Sequence, residues 1–131
     1  MSDTPKFLSL DLVLKSATDL GPLVRALEQD DEVVILTHHA FAGEFTLIVE
    51  LGHEGEPDAA TLTRRFLVLI AGLPQAAFEL WNGATRRSFD YGFEGGETRP
   101  AFEATIPAAL LVQIGGLGAD ITFTVYPRQT S

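Results

Sequence analysis

The 131 residues, 46% of them hydrophobic and none of them cysteine, suffice for one domain that buries about two-thirds of its unfolded surface without disulfides or a structural metal. Nine basic against 18 acidic side chains leave a net charge of −9 and a pI near 4.6, a field that makes nucleic acid a poor partner. Without cysteine there is no thiolate catalysis or cysteine-bearing zinc site, and no stretch reaches the roughly 20 apolar residues of a spanning helix.

The opening Met1-Ser2-Asp3-Thr4-Pro5-Lys6 carries no export signal, so the expected location is cytoplasmic, with residues 1–6 and 128–131 as loose ends of a single domain, 1–131. Leu8, Leu10, Leu12 and Leu14 recur with a period of two and predict a first strand with four leucines on one face. Thr18 or Asp19 can cap a helix with Pro22 in its first turn and Leu20, Leu23, Val24 and Leu27 inward. The unbroken run Val33 to Leu36 reads as a strand covered on both faces or lying centrally in the sheet. Phe45, Leu47, Val49 and Leu51 alternate with polar residues, and the short link Ala40 to Gly43 makes these two strands an antiparallel hairpin.

Leu62, Phe66, Leu69, Ile70 and Leu73 fall at helical spacing until Pro74, after which Ala76 to Trp81 reads as one short helical turn closed by Asn82-Gly83. Phe89, Tyr91 and Phe93 alternate in a further strand, and Phe102, Ala104 and Ile106 beyond Gly95-Gly96 predict its hairpin partner. Pro107 opens a third helix that buries Leu110, Leu111, Ile114 and Leu117, Gly118 can close it in the left-handed conformation, and Ile121, Phe123 and Val125 form the last strand. The order β-α-β-β-α-β-β-α-β predicts an α+β fold: a mostly antiparallel six-stranded sheet with three helices on one face, an elaboration of ferredoxin-like folds. Phe7, Val13 and Ile48, on the outward set, suggest that a second copy covers part of the opposite face as a homodimer.

Metal chemistry is disfavoured by spacing. His38 and His39 are strand neighbours that point to opposite faces, with His38 across from about Glu44, and His53 lies about 30 Å along the strand from there. Pairing Tyr91 with Phe102 would set Asp90 opposite Glu103, a carboxyl pair of the kind acid–base hydrolysis uses, though on the expected solvent face, where carboxylates ordinarily splay into water. Arg64-Arg65 and Arg86-Arg87 each present one guanidinium in a given direction, which favours salt bridges over an anion fork. The glycine clusters fit neither a phosphate loop nor a dinucleotide loop, and no nucleophile elbow is present. Hence no catalytic residue, metal ligand or cofactor is assigned. Phe78, Trp81, Phe89, Tyr91 and Phe93 form a dense aromatic set that reads first as core, and second as an apolar pocket or interface anchored by Trp81 and Tyr91.

Pro100-Ala101-Phe102, Gly118-Ala119-Asp120-Ile121 and Val125-Tyr126-Pro127, spread over the last thirty residues and under a quarter of the chain, resemble small bacterial proteins of unknown function. Some small acidic domains of that kind are immunity proteins that block a toxin, which is the role the resemblance implies, with no site residue to carry over. The expected function is thus a non-enzymatic module that binds a protein partner or itself, through a surface including Trp81, Tyr91, Phe78, Asp90 and Glu103. The alternative is a small-molecule binder or hydrolase with a pocket near Trp81 and Tyr91.

Overall fold

The computed structural model describes residues 6–95 and 103–127. Its elements are β1 (Lys6–Ser16), α1 (Gly21–Leu27), β2 (Val33–Phe41), β3 (Glu44–Leu51), α2 (Ala59–Ala71), α3 (Gln75–Gly83), β4 (Arg86–Glu94), α4 (Ala108–Gly116) and β5 (Asp120–Tyr126). Among the described residues the sheet has five strands in the order β2-β3-β1-β4-β5, antiparallel except for the parallel pair β4 and β5. The architecture is α+β, as the patterning predicts, but with a five-stranded mixed sheet and four helices in place of six antiparallel strands and three helices. None of these helices is long and apolar enough to cross a membrane.

Two differences account for that change. Pro74, extended at ψ 154°, restarts the chain as a full helix, α3, where the sequence pattern predicts one turn. Residues 103–106 form no regular structure, and Phe102 lies outside the described residues. β4 already has β1 on one edge and β5 on the other, so no slot remains for a hairpin partner. β5 is reached through α4, and a strand that returns through a crossover runs parallel to the one it left.

Leu10, Leu12 and Leu14 of β1, Leu47, Val49 and Leu51 of β3, and Phe89 and Tyr91 of β4 line one sheet face, and every helix contributes to the same core against it. The fourth leucine does not join them. An extra residue in β1 between Phe7 and Ser9 turns Leu8 outward, 41% exposed, and turns Phe7 inward against Phe93 with ring centroids 5.6 Å apart. Phe7, expected on the outward set, is therefore on the helix side. Nor is Val33 to Leu36 covered on both faces: β2 is an edge strand, and Val34 and Leu36 are exposed. α1 has Leu20 at its N-cap position, with Asp19 just before it accepting from the Gly21 N–H at 2.9 Å, while Asp58 caps α2 by accepting from the Thr61 N–H at 2.8 Å.

The ends of two helices are tied to the sheet by Arg87 of β4. Its guanidinium donates to the carbonyl oxygens of Trp81, Asn82 and Ala84 at the end of α3, at 2.9 to 3.1 Å, and to Gly118 beyond α4 at 3.0 Å. These are the acceptors that a helix C-terminus leaves unsatisfied, and a planar fork reaches several of them at once. Gly118, at φ 70°, makes the left-handed exit expected of it.

Two stability outcomes follow. Arg87→Lys should destabilise the fold by about 2 kcal/mol, because one ammonium cannot bridge both helix ends, and urea unfolding will report it as a lower midpoint. The two-residue turn between β2 and β3 holds both Ala42 and Gly43 at positive φ, 53° and 81°, and the left-handed region penalises an alanine. Ala42→Asn should raise the unfolding midpoint by about 1 kcal/mol of stability with an unchanged denaturant slope.

Candidate functional site

The residues singled out from the sequence do not gather in one place. Trp81 is 1% exposed, and its indole N–H donates to the Leu117 carbonyl at 3.0 Å. Tyr91 is fully buried, with its hydroxyl 2.6 Å from Thr63 Oγ1. Thr63 spends its single proton on the Ala59 carbonyl at 2.7 Å, so Tyr91 is the donor between the two hydroxyls. Burial raises the Tyr91 pKa. Both polar tips are thus satisfied within the chain, and Phe78 is half-buried. An apolar pocket of about 240 Å³ opens between Tyr91, Phe93, Ile106, Leu111 and Phe123, and Trp81 is not in its wall.

Asp90 and Glu103 do not face each other. Glu103 is exposed in the irregular segment before α4, and Asp90 lies in register with Asp11 of β1 on one side and Thr122 of β5 on the other. His38 sits opposite Leu47 rather than Glu44, with Nε2 4.0 Å from Asp19, and His53 Nδ1 is 3.2 Å from the Gly55 carbonyl oxygen. Among the described residues no group of three or more histidine or acidic side chains is placed to hold a metal ion. Arg65 pairs with Glu32 and donates to the Gly52 carbonyl at 3.1 Å.

What the strand order does bring together is a row of carboxyl groups on the sheet face that none of the described helices covers. The period-2 alternation that buries Leu10 and Leu12 points Asp11 to that face, and Asp90 of β4 points the same way beside it. From the other side Glu50 of β3 brings a further carboxyl close enough to act on the Asp11 pKa, through its charge and as an acceptor for the Asp11 proton. Asp11 Oδ1 is buried and has no hydrogen-bond partner among the described residues. Burial, the Glu50 hydrogen bond, and the charges of Glu50 and Asp90 push the Asp11 pKa from 3.8 up to about 7. Protonated Asp11 donates to Glu50; ionised, it faces two acidic neighbours with no cation between them.

The rest of the face is arranged around this row. Asp90 accepts from Thr124 Oγ1 at 3.0 Å, and Ser88 and Thr122 exchange a 2.8 Å hydrogen bond, so the β4–β5 half is internally satisfied. Val13 and Ile48 form a cross-strand apolar pair one step along the strands. Lys15 lies at the far end of the face, paired with Glu44 at 3.4 Å. Asp11 and Glu50 were not among the residues selected from sequence. Their only signal is a polar outward phase in two otherwise apolar strands, and nothing local reveals that β3 and β1 are neighbours.

Comparison with family models, with curated proteins and with solved structures finds no match.

The raised Asp11 pKa sets a direction for pH. A carboxyl that titrates higher in the folded state than in the unfolded chain contributes stability that is whole below about pH 4 and is lost as pH rises to about 7. Asp58, whose pKa is lowered by the Thr61 N–H, acts in the opposite sense, losing its contribution as pH falls. Asp11→Asn removes only the first effect. Above pH 7 the variant should be more stable than the parent by on the order of 1–3 kcal/mol once solvent screening is allowed for, with the gain vanishing near pH 4. Thermal unfolding of both proteins across that range measures the difference.

Proposed function

We propose that the protein is a non-enzymatic, cytoplasmic binding module that receives a basic protein surface on the bare face of its sheet. The observation that carries this reading is the half-buried Asp11 carboxyl, whose Oδ1 lacks a donor, between Glu50 and Asp90 on an uncovered face. A lysine or arginine from a partner supplies the missing hydrogen bond and neutralises the row, and the net charge of −9 steers such a partner inward. Val13 and Ile48 offer an apolar spot beside the charged one, the mixture from which interface centres are built. Neutralisation of a basic toxin, which the resemblance of the last thirty residues implies, is one specific form of the same reading.

The small-molecule alternative has less to support it. Among the described side chains that line the apolar pocket at Phe93 and Phe123, Tyr91 alone carries a polar group, and Thr63 already holds its hydroxyl. A ligand there would lack the convergent polar groups that fix orientation in most small-molecule sites.

A cation docked at Asp11 favours its charged form, so capture should strengthen as pH rises through 7 and release a proton in doing so. Titration with an arginine-rich peptide, followed by amide NMR, should shift resonances of β1, β3 and β4 on the bare face, around Asp11, Val13, Ile48 and Asp90. Asp90→Lys should weaken binding at least tenfold, and added salt should weaken it in the parent. Shifts centred instead on the acidic loops at Asp30-Asp31 or Glu54-Glu56, or binding indifferent to salt, would overturn the reading.

A further inference from the structure

We propose that a second copy of this chain docks edge to edge on β5, antiparallel about a two-fold axis, to extend the sheet across both copies. β5 ends the sheet, and its outer backbone edge has no strand beside it among the described residues. Edge strands of soluble proteins ordinarily carry a device against such pairing, namely a lysine, a proline or a bulge. β2, the opposite edge, has one: its register slips between Ile35 and Thr37, and Asp30, Asp31 and Glu32 precede it. Within β5 there is none, since Asp120-Ile121-Thr122-Phe123-Thr124-Val125-Tyr126 pairs with β4 in unbroken register, its one charge is at its first residue, and the proline, Pro127, comes only after the strand has ended.

The second observation is what stands next to that edge. Phe123 is 61% and Val125 68% exposed on the helix side of the strand, and Leu111 of α4 shares the pocket wall with Phe123. Val112, the next residue of α4, is 74% exposed. A seven-residue strand has its centre at Phe123, so a symmetric antiparallel pairing sets Phe123 opposite its own copy. Ile121 then faces Val125 of the second copy, Thr122 faces Thr124, and Asp120 faces Tyr126. No like charges meet, and each cross-strand pair is apolar with apolar or hydroxyl with hydroxyl, apart from the end pair.

The exposed apolar side chains and the strand edge together bury on the order of 1,000 Å² across two copies, the lower bound for a specific interface and the size of a reversible one. With −9 on each copy, repulsion opposes association, so salt tightens this dimer where it loosens capture of a basic partner. The dimer does not rest on the bare-face reading, and the opposite salt response separates the two.

Sedimentation velocity of the full chain over a concentration series, at low and high salt, tests the proposal. The expected result is a reversible monomer–dimer equilibrium that strengthens with salt and is at least tenfold weaker in Val125→Lys. Hydrogen exchange of the parent serves as the second measurement should that variant misfold: β5 amides should gain protection as concentration rises. A chain monomeric throughout the series overturns the proposal, as does β5 exchange independent of concentration. A dimer untouched by Val125→Lys but dissociated by Phe41→Lys on β2, or by Val13→Lys on the bare face, also overturns it by placing the interface elsewhere.

Discussion

β1 is paired along nearly its whole length with β4 on one edge and over Leu12–Ser16 with β3 on the other, and the remaining elements arrange themselves around that occupancy. With both edges of β1 filled, β2 can only extend the sheet beyond β3, and β5 can only extend it beyond β4. The strand is also the most asymmetric in the sheet. Its inward phase is leucine at positions 10, 12 and 14, and its outward phase places Asp11 at the centre of the opposite face. The central carboxyl is therefore a consequence of the same alternation that builds the core, since a polar residue in this phase of a central strand has neighbours on both sides and little water.

Arg87 makes the two halves of the helical layer answer to the sheet. A guanidinium placed on the helix side of β4, in register with Leu14, reaches the last carbonyls of α3 and the residue that leaves α4. Trp81 is held from the same direction, through its N–H to Leu117, so the end of α3 and the end of α4 share donors and acceptors. What a sequence reading takes for one of two surface arginine pairs is in this case the cation that closes two helix termini. The same linkage fixes where β5 starts, and with it the length of strand left at the sheet edge.

Features set by neighbouring residues were legible. The hairpin of β2 and β3, the break at Pro74, the inward aromatics of β4 and the left-handed Gly118 depend on alternation, on a missing N–H or on a permitted φ, all of which are local. Features that depend on which segments become neighbours were not. The bulge at Leu8 adds a single residue that no period-2 pattern discloses, and the alternation of Ala104 and Ile106 is compatible with a strand until β1 and β5 have taken both edges of β4. The candidate site belongs wholly to the second kind. Asp90 was visible as an outward carboxyl, but its partners Asp11 and Glu50 lie about 80 and 40 residues away along the chain and meet it only through strand order.

The parallel pair β4 and β5 shows why the tension on the bare face is confined to one side of it. Parallel strands are usually covered on both faces, whereas here one face is left without helices. Ser88 with Thr122, and Thr124 with Asp90, supply cross-strand hydrogen bonds that let this pair carry polar groups on that face without an unsatisfied atom. Among the described residues no equivalent hydroxyl stands between Asp11 and Glu50, and burial together with the acidic neighbours raises the Asp11 pKa instead. The β4–β5 half is thus complete in itself, whereas the β3–β1 half keeps a buried Asp11 oxygen without a hydrogen-bond donor among the described residues. A sheet face divided in this way already distinguishes where a partner has something to add from where it does not.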